Sequence, residues 1–186
     1  MPSLWKSEVT LPSFPPLDHD ARCGLLVVGS GIAGLSSAYE AARCGADVIV
    51  IDRGEIAGGM TSRTTAHLAS EIDDFYSELI RAVGEEQARL YHESQVAAIN
   101  RVEAICREEG IEADFIRLPG YLVAAEQAHQ SDLEEEYEAC RKLGVEVGWS
   151  DSAQLPLLDG TRALKFAAQG RFQAAGVPIS YGSHNL

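Results

Sequence analysis

The chain has 186 residues, of which 46% are hydrophobic and 23% charged, and its mean hydropathy is −0.07. This length and composition are typical of a globular protein with one sizeable core or slightly more. The formal net charge of −13 disfavours nucleic acid as a partner, because nucleic-acid binding needs clustered Lys and Arg side chains. No apolar run approaches the roughly 18 residues that span a bilayer, so no membrane partner is expected.

The N-terminal segment and the cysteines indicate where the protein works. Residues 1–20 are polar, contain four of the seven prolines and lack the apolar core of a secretory signal, so we predict an extended arm. The four cysteines are Cys23, Cys44, Cys106 and Cys140, and they include no C-x-x-C pair. This spacing predicts free thiols, no metal site and a cytoplasmic location.

The segment Gly24–Asp52 alternates between strand and helix patterns. Leu25–Val28 is wholly apolar, which predicts a strand buried on both faces of a parallel sheet. Ile32–Cys44 has the spacing of an amphipathic helix and is closed by Gly45. Asp47–Asp52 predicts a second buried strand. These elements predict an α/β, Rossmann-type strand–turn–helix–strand unit.

Two helices and a hairpin are predicted after this unit. Apolar residues from Ile72 to Val83 recur at helical spacing, and a longer helix is predicted over roughly Glu85–Glu109. Asp114–Ala125 contains a Pro-Gly pair between two β-type runs. Because Pro-Gly is a frequent turn sequence, this segment predicts a hairpin.

The last third of the chain predicts one helix and two strands. Ser131 and Glu134 match a capping box, which predicts a third helix that ends before Val145. The acidic run Glu134–Glu138 is interpreted as a solvated face of that helix. Strands are predicted over Val145–Trp149 and, more weakly, over Ala163–Phe166.

A glycine motif lies between the first predicted strand and the first helix. Gly29, Gly31 and Gly34 spell G-x-G-x-x-G, which permits a tight turn, close approach of a pyrophosphate and close helix–strand packing. Asp52 ends the second strand, where an acid can accept hydrogen bonds from a ribose diol. The alternative is a glycine-rich turn followed by an ordinary aspartate. The order of elements favours a dinucleotide site and leaves open a nicotinamide or a flavin.

One stretch resembles the N-terminus of FAD-dependent oxidoreductases of the D-amino acid oxidase (glycine oxidase-like) superfamily, and it reads VVGSGIAGLSSAYEAARCGADVIVIDRGEIAGGMTSRTTAHL. GGMTSRTTAHL and FIRLPGYLVA are similar to a bacterial subgroup whose flavoprotein part is often fused to a Rieske domain. The resemblance extends over about Leu25 to Gln173. It implies FAD as cofactor and an FAD-binding βαβ unit over residues 21–70. Residues 71–173 are then a helical insertion and part of an α+β substrate domain, followed by a divergent tail over 174–186.

The resemblance also implies which residues contact FAD. It implies contacts from the motif glycines, Asp52 and their neighbours in the turn. It also implies contacts from a second loop, which passes beside the pyrophosphate and flavin ring in the family. The alternative for this second loop is a polar connector without ligand contacts. The further predicted cofactor-binding residues are Ser30, Ile32, Ala33, Arg53, Gly58, Gly59, Thr61, Ser62, Arg63, Thr64 and Thr65.

The chemistry implied by the resemblance is removal of a hydride from a carbon next to an amine, with flavin as the acceptor. No catalytic residue is assigned, and His67 is interpreted as a structural hydrogen-bonding residue. The predicted partner is a small amine or amino-acid substrate. The chain resembles a shortened version of the family, so a second chain that supplies the C-terminal half is a further expectation. The alternatives are an NAD(P)-binding dehydrogenase domain and a non-catalytic dinucleotide-binding remnant.

Overall fold

The computed structural model describes residues 11–123, 130–151 and 162–172. The described residues form two compact units, which divide between Thr65 and Ala66. Both units combine helices with strands, so the predicted α/β class is confirmed. The first unit contains β1 (Leu25–Val28), α1 (Ile32–Arg43), β2 (Val48–Ile51) and a 3-10 helix (Met60–Arg63).

The predicted tail over residues 174–186 lies outside the described residues. The first half of the arm predicted over 1–20 lies outside them too. Residues 11–20 have no regular secondary structure.

In the second unit, helices pack against a sheet. The elements of this unit are β3 (His67–Leu68), α2 (Tyr76–Val83), α3 (Glu85–Glu108), β4 (Phe115–Val123), α4 (Gln130–Leu143), β5 (Val147–Asp151) and β6 (Arg162–Phe172).

The strand–helix–strand unit forms as predicted. β1 and β2 are adjacent parallel strands that pair along their whole length. Helix α1 joins them. Two residues after its last residue, Gly45 adopts the left-handed conformation with φ 83°. The Gly45 N–H donates to the Ala42 carbonyl and the Ala46 N–H to the Ala41 carbonyl. These two bonds satisfy the last carbonyls of the helix and reverse the chain toward β2.

The prediction that β1 and β2 are buried on both faces is wrong for the described chain. The side chains of Leu26 and Val28 are 51% and 77% exposed, and Val50 is 36% exposed. The physical reason is the size of the sheet. Among the described residues it has two strands, and α1 is the helix that packs on both of them, so the other face has no comparable cover. An apolar run therefore identifies the strands correctly but not their surroundings.

The sheet of the second unit is built around β6. This strand pairs antiparallel with β4 on one side and with β3 and β5 on the other. The sequence predicts only Ala163–Phe166 as strand, whereas β6 extends over 11 residues. Its long partner β4 provides hydrogen bonds along that whole length, which a local pattern does not show.

The predicted hairpin at Pro119 and Gly120 is wrong. Both residues lie inside the continuous strand β4, and the register against β6 shifts between Leu118 and Gly120. Leu118 pairs with Gln169 and Gly120 with Phe166, so β6 has one extra residue at this point. Pro119 cannot donate a ladder hydrogen bond, and a strand irregularity accommodates such a residue without reversing the chain.

The capping box predicted at Ser131 and Glu134 is also wrong. Helix α4 begins at Gln130, so Ser131 lies within the helix and not before it. The acidic run is not wholly solvated either, because Glu136 is 2% exposed. Its carboxylate accepts hydrogen bonds from the backbone N–H groups of Tyr76 at 2.7 Å and Ser77 at 2.9 Å. Glu136 of α4 therefore caps the N-terminus of α2.

A buried hydrogen-bonded tyrosine lies at the start of α2. The Tyr76 side chain is fully buried, and its hydroxyl donates to the Ser70 carbonyl. His92 Nδ1 lies 2.8 Å from the same hydroxyl oxygen. Because the single hydroxyl hydrogen goes to Ser70, the oxygen accepts from the ring N–H of His92. Burial lowers the pKa of His92, which keeps the ring neutral in this role.

We expect Tyr76→Phe to lower the free energy of unfolding of the second unit by about 1–3 kcal/mol, because it removes a buried hydroxyl that is hydrogen-bonded to both the Ser70 carbonyl and the His92 ring. Urea denaturation followed by circular dichroism measures this loss. Tyr137→Phe is the control, since it keeps the ring contact with Trp149 at 5.3 Å between centroids. Equal losses in both variants would contradict a specific role for the Tyr76 hydroxyl.

Candidate functional site

The turn between β1 and α1 requires glycine at two of its three motif positions. Gly29 has φ 111°, which only glycine adopts readily, and its N–H donates to the Ile51 carbonyl. A Cβ on Gly34 would lie 1.9 Å from the Gly29 carbonyl oxygen. The third glycine therefore lets the first turn of α1 pack directly on the end of β1, as the motif predicts.

Gly31 immediately precedes α1 as its N-cap residue and has no side chain to cap the first turn. The missing cap is replaced in part from the second loop, because the Ile32 N–H donates to Thr61 Oγ1 at 3.0 Å. A Cβ on Gly31 would lie 3.3 Å from the same oxygen. Thr61, Gly31 and Ile32 are thus brought together at the N-terminus of the helix, where backbone N–H groups favour an anion.

Asp52 holds the glycine turn from the end of β2. Its Oδ2 accepts from the Ser30 N–H at 2.6 Å and the Ser30 hydroxyl at 2.7 Å. Its Oδ1 accepts from the Gly54 N–H at 3.0 Å. The Ser30 hydroxyl, followed by the backbone N–H groups of Ser30 and Gly54, lowers the pKa of Asp52 to about 2. The Arg53 backbone N–H also lowers this pKa, so protein donors approach the carboxylate at about four positions, and the side chain stays exposed to a ligand.

The second loop is tied to the glycine turn at a further point. The Ala57 N–H donates to the Ser30 carbonyl at 3.0 Å, and Ala57 itself has φ 53°. The Ser62 hydroxyl donates to the Gly59 carbonyl at 2.9 Å, within the loop. Sequence reasoning missed Ala57, because alanine carries no side-chain signal for a left-handed backbone conformation.

The predicted site residues therefore differ in what the structure shows for them. Ser30, Gly31, Ile32, Asp52 and Thr61 form one hydrogen-bonded or contacting group. Ser62 is buried, and its hydroxyl stabilises the loop itself. Gly58 is half-buried, and its N–H donates to the Glu55 carbonyl at 3.0 Å. The other predicted residues outside the glycine turn are solvent-exposed, and their contacts with a cofactor stay a prediction; they are Arg53, Gly59, Arg63, Thr64 and Thr65.

A cavity of about 240 Å³ lies in the second unit, between the segment before α2 and the sheet. Its polar wall includes Glu71, Tyr121 and Gln169, and its apolar wall includes Phe75 and Phe166. Burial raises the pKa of Glu71, although hydrogen bonds from its neighbours oppose that rise. Sequence reasoning did not single out Glu71 or Gln169, because no local motif connects residues that far apart.

No group of three or more His, Cys, Asp or Glu side chains in the described part of the chain is arranged to hold a metal ion. No helix of the described residues is long and apolar enough to cross a bilayer.

Comparison with known proteins shows the class to which this site belongs. The DAO family model, described as FAD dependent oxidoreductase, matches residues 25–177. The chain therefore belongs to the DAO family of FAD-dependent oxidoreductases. This membership confirms the resemblance seen in the sequence, identifies FAD as the cofactor of the family, and favours the flavin over the nicotinamide alternative.

Individual relatives extend over most of this chain. It is 34% identical over 179 residues to the "Putative Rieske 2Fe-2S iron-sulfur protein YhfW" of Bacillus subtilis, with 96% of this chain and 34% of the relative covered. It is 27% identical to the gamma-glutamylputrescine oxidoreductase of Escherichia coli, with 91% and 38% covered. The L-amino acid deaminase from Proteus vulgaris has the same fold, with a TM-score of 0.66, 17% identity, and 90% and 38% covered. The chain thus spans a little over a third of the length of these relatives.

We expect the Asp52 carboxyl group to titrate near pH 2, against an ordinary value of 3.8. The chemical shift of the Ser30 amide, followed by NMR from pH 6 to about 1.5, reports this titration. Because the folded pKa is lowered, Asp52 stabilises the first unit above about pH 3.8 and loses that contribution as the pH falls to about 2.

A pair of serine variants tests the cause of this shift. Ser30→Ala removes the largest contribution, the hydroxyl hydrogen bond, and should move the midpoint upward toward 3.8. Ser37→Ala removes a hydroxyl of α1 that donates to the Ala33 carbonyl and should leave the midpoint unchanged. A midpoint near 3.8 in the parent chain would show that Asp52 does not hold the turn.

Proposed function

We propose that this chain binds the FAD of an oxidoreductase that oxidises an amine or amino acid by hydride transfer to flavin. The observation that carries the proposal is the glycine turn. Gly31 presents no Cβ at the N-terminus of α1, and the second loop and Asp52 are hydrogen-bonded to the same turn. An anionic pyrophosphate fits such a helix start, because backbone N–H groups and the helix dipole favour negative charge there.

The residues of the first unit suit distinct parts of the dinucleotide. The first-turn amides of α1 at Ala33 and Gly34 are suited to phosphate oxygens, whereas the Ile32 amide already donates to Thr61. Asp52 is suited to a ribose hydroxyl, with Ser30 holding the carboxylate in place. Arg63, exposed on the second loop, can screen phosphate charge. When bound, FAD supplies the hydride acceptor, and these residues supply its binding and orientation.

The relatives and the chemistry of flavin support a proposal for the substrate class. One relative is an oxidoreductase of gamma-glutamylputrescine, which contains an amine, and a structural neighbour is an L-amino acid deaminase. One name describes a redox reaction of an amine compound and the other the removal of an amino group. We therefore propose a small CH–NH compound as the substrate of the complete enzyme to which these residues belong.

We further propose that polypeptide beyond the described residues strengthens the binding of FAD to this chain. The relatives are about three times as long as the part that matches this chain. The side chains of Leu26 and Val28 remain exposed in the two-stranded sheet, which suits packing against further structure. A second chain that supplies the C-terminal half of the family fold is the partner that this exposed face would accept.

The cofactor is tested by titrating the chain with FAD and, separately, with NADH while protein and ligand fluorescence are recorded. We expect saturable binding of FAD and none of NADH. Gly31→Val should weaken FAD binding about tenfold or more, because a branched side chain occupies the approach of the pyrophosphate.

A second glycine provides the matched control. A Cβ on Gly148 of β5 would meet no atom of another segment within 4 Å, and this residue lies in the other unit. Gly148→Val should therefore bind FAD as the parent does. Circular dichroism of each variant checks its folding. Tight NADH binding without FAD binding, or unchanged FAD affinity in Gly31→Val, would contradict the proposal.

A further inference from the structure

A hydrogen-bonded chain of three side chains runs through the second unit. His67 Nε2 lies 2.6 Å from Gln169 Oε1, and Gln169 Nε2 donates to Glu71 Oε2. Gln169 is 5% exposed, so its amide depends on these protein partners for its hydrogen bonds. His67 is exposed and follows Thr65, the last residue of the second loop, by two positions. The chain of bonds therefore connects a buried amide to an accessible ring.

The carboxylate of Glu71 sets the direction of these bonds. An ionised carboxylate only accepts, so the Gln169 amide must turn its NH₂ group to Glu71 and its carbonyl oxygen to His67. The Ser70 hydroxyl donates to the other oxygen of Glu71 at 2.8 Å, and the hydrogen bonds from Ser70 and Gln169 favour the ionised form against the rise in pKa that burial causes. It follows that His67 Nε2 carries a hydrogen. In the neutral ring, Nδ1 is then the acceptor nitrogen.

The irregularity in β4 makes room for this arrangement. A Cβ on Gly120 would lie 1.9 Å from Gln169 Nε2 and 2.5 Å from Gln169 Oε1. Any other residue at this position would displace the amide from the place where it meets both partners. The Pro119-Gly120 pair, which does not form a turn, thus provides a register shift and a gap that seat Gln169 on the strand.

We propose that Gln169 is a positioning residue that, anchored by Glu71 and seated over Gly120, holds His67 in the Nε2–H tautomer with Nδ1 as a fixed hydrogen-bond acceptor. A glutamine whose amide was free to turn over would present either its oxygen or its NH₂ group to His67. It would therefore not select one tautomer of the ring. A fixed acceptor suits an N–H donor such as an amine. The use of Nδ1 as an acceptor for an amine rests on the proposed function, whereas the assignment of the tautomer does not.

The tautomer is measured directly by NMR on the full chain labelled with ¹⁵N-histidine at neutral pH. Two-bond proton–nitrogen correlations distinguish the two ring nitrogens, and His67→Asn identifies the His67 signals among the five histidines. We expect one tautomer, with the hydrogen on Nε2 and protected from exchange with water. A rapidly averaging ring, or a hydrogen on Nδ1, would overturn the proposal. No flavin is needed, so the result is independent of FAD binding.

Three variants test the source of the constraint. Gln169→Leu removes the amide and Gly120→Ala displaces it, and both should convert the single tautomer into an averaging mixture. Glu71→Gln should also give an averaging mixture of tautomers. The new side chain both donates and accepts, so it does not require Gln169 to turn its NH₂ group toward position 71. Glu78→Gln, the same change at an exposed carboxylate of α2 that pairs with Arg81, should leave the His67 spectrum unchanged.

Circular dichroism separates misfolding from a local effect in these variants. A folded Gln169→Leu or Glu71→Gln chain that keeps the parent tautomer would overturn the proposal. If Gly120→Ala does not fold, the other two variants decide the outcome, since neither introduces a new atom into the strand.

Discussion

The first unit depends on the carboxylate of Asp52, which connects the end of one strand to the turn after the other. Two hydrogen bonds from Ser30 and one from Gly54 converge on it. These bonds fix the turn at the point where Gly34 packs α1 against Gly29. A helix start held in this way keeps its N–H groups directed outward before any ligand arrives. Preorganisation of this kind lowers the ordering cost of binding.

This arrangement also changes the meaning of the acid in the motif. An aspartate at the end of the second strand is expected to meet a ribose, and here it first supports the glycine turn. The two roles are compatible, because Asp52 is exposed and a ribose hydroxyl can approach its oxygens beside the backbone and Ser30 donors. Thr61 likewise meets two features of the turn. Its Oγ1 accepts a hydrogen bond from the Ile32 N–H, and the same oxygen lies 3.3 Å from the place that a Cβ on Gly31 would occupy.

Short-range patterns in the sequence predict what neighbouring residues determine and miss what depends on distant partners. The strand–helix–strand unit and the long helix α3 are predictable because glycines, apolar spacing and helix ends lie close together along the chain. The Pro-Gly pair in β4 suggests a turn when read locally, since its partner Gln169 lies far along the sequence. Glu136 has the pattern of a surface residue, although it caps the first turn of α2 from another helix. At the candidate site, Asp52 and Thr61 are predicted as ligand contacts, but their bonds to the turn follow only from tertiary structure.

The position of β6 has a consequence for the order in which the protein can fold during synthesis. This strand is the centre of its sheet and yet the last element of the described chain, with His67 and Gln169 separated by 102 residues. While the ribosome is still producing residues before Arg162, β3, β4 and β5 lack their common partner. Helices α2 and α3 can form early, because they are neighbours in sequence and pack against each other, although the Glu136 cap of α2 is made later. Assembly of the sheet must wait for the end of translation of this region, and its unpaired strands are exposed to aggregation until then.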